Sequence, residues 1–146
     1  MEANQRALVY AKGDVEIAAS IETVWDVIAA IDRWPDWNPD VKKASLSAEL
    51  VEGSQFRWKS GPGTITSTLL RVEPPHVLGW TGKTLTIKAI HVWHLEGHAG
   101  NTMVTTYESW EGLIARLFRG ASQKTVEKAI QNGLGYLKAE AERRSS

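Results

Sequence analysis

Residues 18–28 read AASIETVWDVI and residues 32–39 read DRWPDWNP, which predict a short capped helix followed by a proline-bounded corner. Ser20 is a favourable N-cap, because its hydroxyl can accept a hydrogen bond from an amide of the first helical turn. Apolar residues then recur at helical spacing: Val24, Trp25, Val27, Ile28 and Ile31. Pro35 and Pro39 disfavour helical geometry in the residues before them, so we predict a turn or a single helical turn there.

Strand signals precede this helix and dominate the chain after the corner. Residues 14–20 alternate between two faces and predict the first strand. Further strands, separated by turn residues, are predicted at 41–48, 53–59, 64–72, 77–81, 85–95 and 102–110. Ser60-Gly61-Pro62-Gly63 is typical of a hairpin turn. Because these strands are close-set, the sheet is predicted to be antiparallel.

The tail from Leu113 to Arg144 predicts a long helix. Its apolar stripe consists of Leu113, Leu117, Ala121, Ile130, Leu134, Leu137 and Ala141. Glycine is a poor helix former, and we expect a kink or break near Gly120. A single curved sheet must bury its apolar face, and this helix is the only large element predicted to cover it. The expected class is therefore α+β.

Composition narrows the functional classes. The 146 residues suit one domain spanning residues 1–146, with an ordered core at about 11–142. There is no cysteine, which excludes disulfides, thiolate zinc sites and cysteine nucleophiles. Lys plus Arg and Asp plus Glu both number 17, which argues against nucleic-acid binding. No apolar run could span a bilayer, and Met1 to Arg6 lacks a signal-peptide pattern, so we expect a cytoplasmic protein.

Histidines cluster in the run HVWHLEGH at residues 91–98. His94, Glu96 and His98 would share one strand face, but that face is predicted to meet solvent and Gly97 is expected to bend the strand. We therefore predict no metal site. No motif for a bound cofactor is found either, and none is expected.

The segments at 18–28 and 32–39, with VEPP at 72–75, LGWTG at 78–82 and ESWEGL at 108–113, resemble the START/Bet v 1-like (SRPBCC) superfamily. Within it, the chain looks like the bacterial polyketide cyclase/dehydrase-type proteins, over about residues 11–142. The resemblance implies a helix-grip fold: a curved antiparallel sheet of about six to seven strands around the C-terminal helix, with two short helices after the first strand. It also implies a cavity between sheet and helix. It carries over no catalytic residues, because these members share no catalytic motif.

Strand parity predicts which side chains would face such a cavity. In strand 85–95, one face carries Lys88, His94 and Glu96, so the other face is predicted to point inward. The candidate ligand-binding residues are Phe56, Trp58, Trp80, Ile87, His91 and Trp93. If their faces coincide, the tryptophans form an aromatic wall suited to a flat or apolar ligand. The alternative is that they are ordinary core residues.

Three residues are candidates for catalysis. His91 can orient a ligand or act as a general acid or base, or it can simply be a buried histidine bonded to a neighbour. In strand 102–110, parity leaves two arrangements open. If Val104, Thr106, Glu108 and Trp110 face inward, Glu108 can pair with His91. If the other face is inward, Tyr107 offers its hydroxyl instead.

Three functions remain from the sequence. The first is binding of a small hydrophobic or aromatic molecule, polyketide- or lipid-like, between the sheet and the C-terminal helix. The second is a cyclase/dehydratase-type enzyme that uses His91 with Glu108 or Tyr107. The third is a protein-interaction module or homodimer without a small ligand, in which exposed tryptophans meet a partner.

Overall fold

A seven-stranded antiparallel sheet and a long C-terminal helix form the two layers of the protein, in a computed structural model that describes residues 4–61 and 63–146. The strands are β1 Val9–Ile17, β2 Val41–Leu46, β3 Gln55–Ser60, β4 Gly63–Glu73, β5 Val77–Lys83, β6 Lys88–His98 and β7 Asn101–Glu111. The helices are α1 Ile21–Ala29, α2 Trp34–Trp37, α3 Leu113–Leu117 and α4 Arg119–Ser145. The order across the sheet is β1-β7-β6-β5-β4-β3-β2. This confirms the predicted α+β helix-grip fold.

The segment between β1 and β2 folds as its sequence predicts. The Ser20 hydroxyl accepts a hydrogen bond from the Thr23 amide at 3.2 Å and caps α1. A 3₁₀ turn at Ile31–Arg33 and the single turn of α2 form the corner. Trp34 is buried, and its indole Nε1 donates to the carbonyl oxygen of Ile28 at 2.9 Å. The corner is therefore tied rigidly to the end of α1.

Two predicted elements that include candidate residues differ from the structure. The strand predicted to begin at residue 85 begins at Lys88 instead, so Leu85 is fully exposed and Ile87 lies in the β5–β6 connection. The Thr84 hydroxyl accepts hydrogen bonds from the Thr86 and Ile87 amides. Such local bonds compete with strand pairing, which explains the later start. The predicted 60–63 turn contains Pro62, which lies outside the described residues, as do residues 1–3.

The C-terminal tail breaks where weak helical propensity predicts it. Phe118, two residues before Gly120, separates α3 from α4. The first part of the stripe was predicted wrongly: Leu113 and Leu117 before the break and Ala121 just after it are exposed, Leu117 to 64%. The predicted stripe assumes one continuous helix. Because the backbone changes direction at Phe118, the residues of α3 no longer lie in line with the buried residues of α4. The rest of the stripe, from Ile130 to Ala141, is buried.

Helix α4 lies along the edge strand β1. Near its start, the Gln123 side chain bonds both the amide and the carbonyl of Tyr10, at 3.1 and 2.7 Å. Near its end, Glu142 accepts from the Ala18 amide at 2.9 Å. These bonds satisfy backbone groups that an edge strand otherwise leaves open. They also hold α4 over one side of the sheet.

We call the sheet face that meets α4 the inner face. Its residues by register are Val9, Ala11, Gly13, Val15 and Ile17; Thr102, Val104, Thr106, Glu108 and Trp110; Ala89, His91, Trp93, Leu95 and Gly97; Leu78, Trp80 and Gly82; Ile65, Ser67, Leu69 and Val72; Phe56, Trp58 and Ser60; Val41, Ala44 and Leu46. Over β3 to β5 this face is covered by Trp34, whose ring lies 5.4 Å from Phe56, 5.6 Å from Trp58 and 5.0 Å from Trp80. Trp34 thus occupies space that the resemblance assigns to a cavity.

No helix in the described part of the chain combines the length and apolar character needed to cross a membrane.

Candidate functional site

The inner face is sealed at one end and open at the other. Along β6, Leu95 and Trp93 are buried, whereas Ala89 is half-buried. Along β7, Val104 and Thr106 are fully buried, whereas Trp110 is half-buried. The same change occurs on β3, β4 and β5. Exposure therefore increases toward the start of β6 and the end of β7.

Five residues form the open end, which we call the open row: Trp58, Ile65, Gly82, Ala89 and Trp110. Backbone pairing joins Trp58 to Ile65 on one side and Gly82 to Ala89 and Ala89 to Trp110 on the other. Ile65 and Gly82 are diagonal neighbours on adjacent strands rather than direct partners. A methyl group placed on Gly82 would lie 3.4 Å from Ile65 Cγ2 and 3.5 Å from Ala89 Cβ. The row therefore has large side chains at both ends and two small residues between them.

His91 and Glu108 lie at the border between the open row and the sealed core. They are direct cross-strand partners in the β6–β7 ladder. His91 Nδ1 is 3.3 Å from Glu108 Oε1, and each side chain is 15% exposed. The His91 ring contacts both Trp80 and Trp93, with centroid distances of 5.1 and 5.2 Å. A polar pair thus interrupts an otherwise aromatic wall.

Both members of this pair have further hydrogen-bond partners. His91 Nε2 is 2.8 Å from the Thr106 hydroxyl, which also reaches the carbonyl oxygen of Val92 at 3.0 Å. Trp110 Nε1 donates to Glu108 Oε2 at 2.7 Å. A neutral His91 can donate from Nδ1 and accept the Thr106 proton, and a charged His91 can donate from both nitrogens while Thr106 turns to Val92. The network accommodates both charge states of His91 without moving a heavy atom.

Burial lowers the pKa of His91 below its ordinary value of 6.5, and the nearby Glu108 carboxylate opposes that change. Desolvation is the larger cause, because it penalises the charged imidazolium. His91 is consequently uncharged at neutral pH.

This shift predicts a pH-dependent stability. The unfolded chain binds a proton at His91 near pH 6.5, whereas the folded protein binds it only at lower pH. Protonation therefore favours unfolding, and we expect the free energy of unfolding to fall as pH is lowered from about 7.5 to about 5.5. Urea unfolding at both pH values measures the loss.

Two variants assign the effect to His91. In His91→Gln the pH-dependent loss should be smaller than in the unmodified protein, whereas His98→Gln, at an exposed histidine, should retain it. Equal pH dependence in all three proteins would contradict the prediction.

The structure brings some of the predicted site residues together and separates others. Phe56, Trp80 and Trp93 share the inner face but are buried beneath Trp34 and α4. Tyr107 lies on the opposite face, with its ring 5.5 Å from His94 and 5.4 Å from the Lys12 ammonium. It is therefore on the wrong side of the sheet to meet His91.

Sequence reasoning did not select five residues of this region: Ile65, Thr106, Trp110, Gly82 and Ala89. The same alternation that places Glu108 inward also places Thr106 and Trp110 inward, so a signal was present for them. Gly82 and Ala89 matter because they are small. Their role is visible only once the strands on either side are paired.

The residues considered for a metal site, His94, Glu96 and His98, lie on the face of β6 opposite to His91. Within residues 4–61 and 63–146, no group of three or more His, Asp or Glu side chains is placed to hold a metal ion. His94 packs against Tyr107.

Comparison with known proteins places the chain in a family. The family model described as polyketide cyclase/dehydrase and lipid transport matches residues 10–142. The chain belongs to this family. The resemblance based on the segments at 18–28, 32–39, 72–75, 78–82 and 108–113 is thereby confirmed. No curated protein sequence matches the chain.

Solved structures share the fold of this polyketide cyclase/dehydrase family member at low sequence identity. A hypothetical protein from Helicobacter pylori has a TM-score of 0.84 at 14% identity, covering 94% of this chain and 90% of the other. The Zhui aromatase/cyclase from Streptomyces sp. R1128 has a TM-score of 0.81 at 19% identity, covering 94% and 95%. A START superfamily protein from Mycobacterium smegmatis has a TM-score of 0.78 at 16% identity, covering 92% and 97%. These matches establish the fold.

Proposed function

We propose that the protein binds a small, flat, apolar or aromatic molecule across the open row. The observation that carries this proposal is the arrangement of Gly82 and Ala89 between Ile65 and Trp110, beside the His91–Glu108 pair. Large apolar surfaces interrupted by a few placed polar groups are typical of small-molecule sites.

The dimensions of the row support a ligand of modest size. Ile65 lies on β4 and Trp110 on β7, three strand spacings apart, which is about 14 Å between backbones. Gly82 has no side chain and that of Ala89 is a single methyl group, so little side-chain volume fills the middle of that span. A bicyclic or tricyclic ring system would rest there with its edge toward Trp110. Family membership supports the same class, since the family description includes polyketide cyclases and lipid transport.

The experiment that tests this is a tryptophan-fluorescence titration with aromatic polyketides, fatty acids and sterol-like compounds. We expect saturable quenching by the class that binds. Replacing Ala89 by leucine fills part of the space between Ile65 and Trp110. The substitution should weaken binding by about tenfold or more, as an added group in a pocket does. Ala48→Leu adds the same side chain at an exposed position away from the sheet's inner face and should leave the affinity unchanged.

Two results would contradict binding at the open row. A flat response to every compound would argue against a small-molecule ligand, and a concentration-dependent dimer would then favour the interaction role. Unchanged affinity in Ala89→Leu would place the ligand elsewhere on the protein.

A second candidate function is a cyclase/dehydratase-type enzyme, and the 3.3 Å approach of His91 Nδ1 to Glu108 Oε1 favours it. A carboxylate next to imidazole is suited to remove a proton from a carbon between two carbonyls. The resulting carbanion would close a ring on another carbonyl carbon, and the new alkoxide would take up the abstracted proton to become a hydroxyl group. Removal of the second proton from the attacking carbon would then expel this hydroxyl group, so that one water is released and a carbon–carbon double bond forms. Ring closure of a linear poly-β-ketone, detected as loss of one water and abolished in His91→Gln with binding retained, distinguishes this function from binding alone.

A further inference from the structure

Both ring nitrogens of His91 already have protein partners. Nδ1 faces Glu108 Oε1 and Nε2 faces the Thr106 hydroxyl. Two indole rings also pack against the imidazole, those of Trp80 and Trp93. A ligand in the open row therefore cannot form a hydrogen bond with His91 unless it displaces one of these partners.

Glu108 has acceptor capacity left. Each of its oxygens takes part in one contact, Oε1 with His91 and Oε2 with Trp110 Nε1. A carboxylate has about four lone-pair sites, so each oxygen can accept one further hydrogen bond. Glu108 pairs in the β6–β7 ladder one alternation before Trp110, which places it next to the open row on the same face. Glu108 therefore offers a molecule bound at the open row hydrogen-bond acceptors.

The charge near Glu108 also restricts the ligand. Among the ion pairs of residues 4–61 and 63–146, the one made by Glu108 is with His91, and no lysine or arginine joins it. An anionic ligand beside Glu108 would bring like charges together where little water screens them. A ligand hydroxyl would instead form a charge-assisted hydrogen bond, which is among the stronger kinds.

We infer that Glu108 selects ligands that carry a hydrogen-bond donor, in particular hydroxylated aromatic compounds, and excludes apolar carboxylates such as fatty acids. This inference rests on the proposed binding at the open row and names the ligand class for it. His91 then acts as a positioning residue, because it holds one Glu108 oxygen in place while Trp110 holds the other.

Three matched probes test the inference: a naphthol, its methyl ether and the corresponding naphthoate, which share one ring system. In fluorescence titrations we expect the naphthol to bind about tenfold more tightly than the ether, since only the naphthol can donate to a charged acceptor. The naphthoate should bind most weakly. In Glu108→Gln, the difference between naphthol and ether should shrink to about threefold or less, and the naphthoate should gain affinity.

Glu111→Gln is the matched control, because Glu111 is an exposed carboxylate on the same strand with the opposite side-chain direction. It should retain the full preference of the unmodified protein. If Glu108→Gln does not fold, the order of the three probes on the unmodified protein still decides the matter.

The outcomes separate this inference from the proposal beneath it. Equal binding of the three probes would overturn the selection by Glu108 while leaving ligand binding intact. Tighter binding of the naphthoate than of the naphthol would overturn it as well. Failure of all three probes to bind would overturn both.

Discussion

Replacing Trp34 by alanine is expected to lower the free energy of unfolding by about 3–5 kcal/mol, as removal of a fully buried tryptophan does. The Trp34 ring contacts three aromatic side chains of the inner face, those of Phe56, Trp58 and Trp80, at centroid distances of 5.0–5.6 Å. Its Nε1 also donates to the Ile28 carbonyl.

Urea unfolding followed by circular dichroism measures the loss. Phe118→Ala is the control, since Phe118 is an exposed aromatic residue and its removal should change stability by less than about 0.5 kcal/mol. A loss below about 1 kcal/mol in Trp34→Ala would show that Trp34 is not a central core residue, and that the inner face over β3 to β5 is covered by something else.

Replacing Gly13 by valine is expected to destabilise the protein by about 3 kcal/mol, near the upper end of what overpacking costs. A Cβ atom at Gly13 would lie 2.8 Å from Ile130 Cγ2 and 2.9 Å from Leu134 Cδ1. Both of those side chains are buried, so neither can swing away without opening a void. Valine is the better strand former, so propensity alone predicts the opposite sign. The measured sign therefore reports whether α4 packs directly on β1.

Gly135→Ala provides the contrast for this prediction. Gly135 lies in α4, and a Cβ atom there would meet nothing within 4 Å. Alanine at an exposed helix position should raise the free energy of unfolding by up to about 1 kcal/mol. Stabilisation by both Gly13→Val and Gly135→Ala would mean that α4 does not sit against Gly13.

Local patterns in the sequence predicted most of the elements for identifiable reasons. Ser20 forms the expected cap, and Pro35 and Pro39 bound the expected corner, because caps and prolines act through their own backbone. Alternation correctly grouped Phe56 with Trp58 and His91 with Trp93, since side chains of a strand alternate between its faces. Strand β6 starts later than predicted, because the Thr84 hydroxyl accepts hydrogen bonds from the Thr86 and Ile87 amides and keeps them out of the sheet.

Strand β7 shows where local patterns stop being informative. Its two faces are equally mixed: one carries Thr106, Glu108 and Trp110, and the other carries Tyr107 and Ser109. Composition therefore could not tell which face meets the core. The register of β7 with β6 settles it, because His91 pairs with Glu108 and both side chains then point the same way. Tyr107 is placed on the far side by the same pairing.

The amino-acid pattern alone established the order of strands and helices, the antiparallel sheet and the residues that share each strand face. The pairing of strands far apart in the chain brought Glu108 to His91 and Gly82 to Ala89, and packing brought Trp34 over Phe56 and Trp80. A period of two residues reports which side chains lie together on a strand. It carries no information on which face a distant helix will cover, because that depends on contacts between segments separated by a hundred residues or more, such as Gly13 and Ile130.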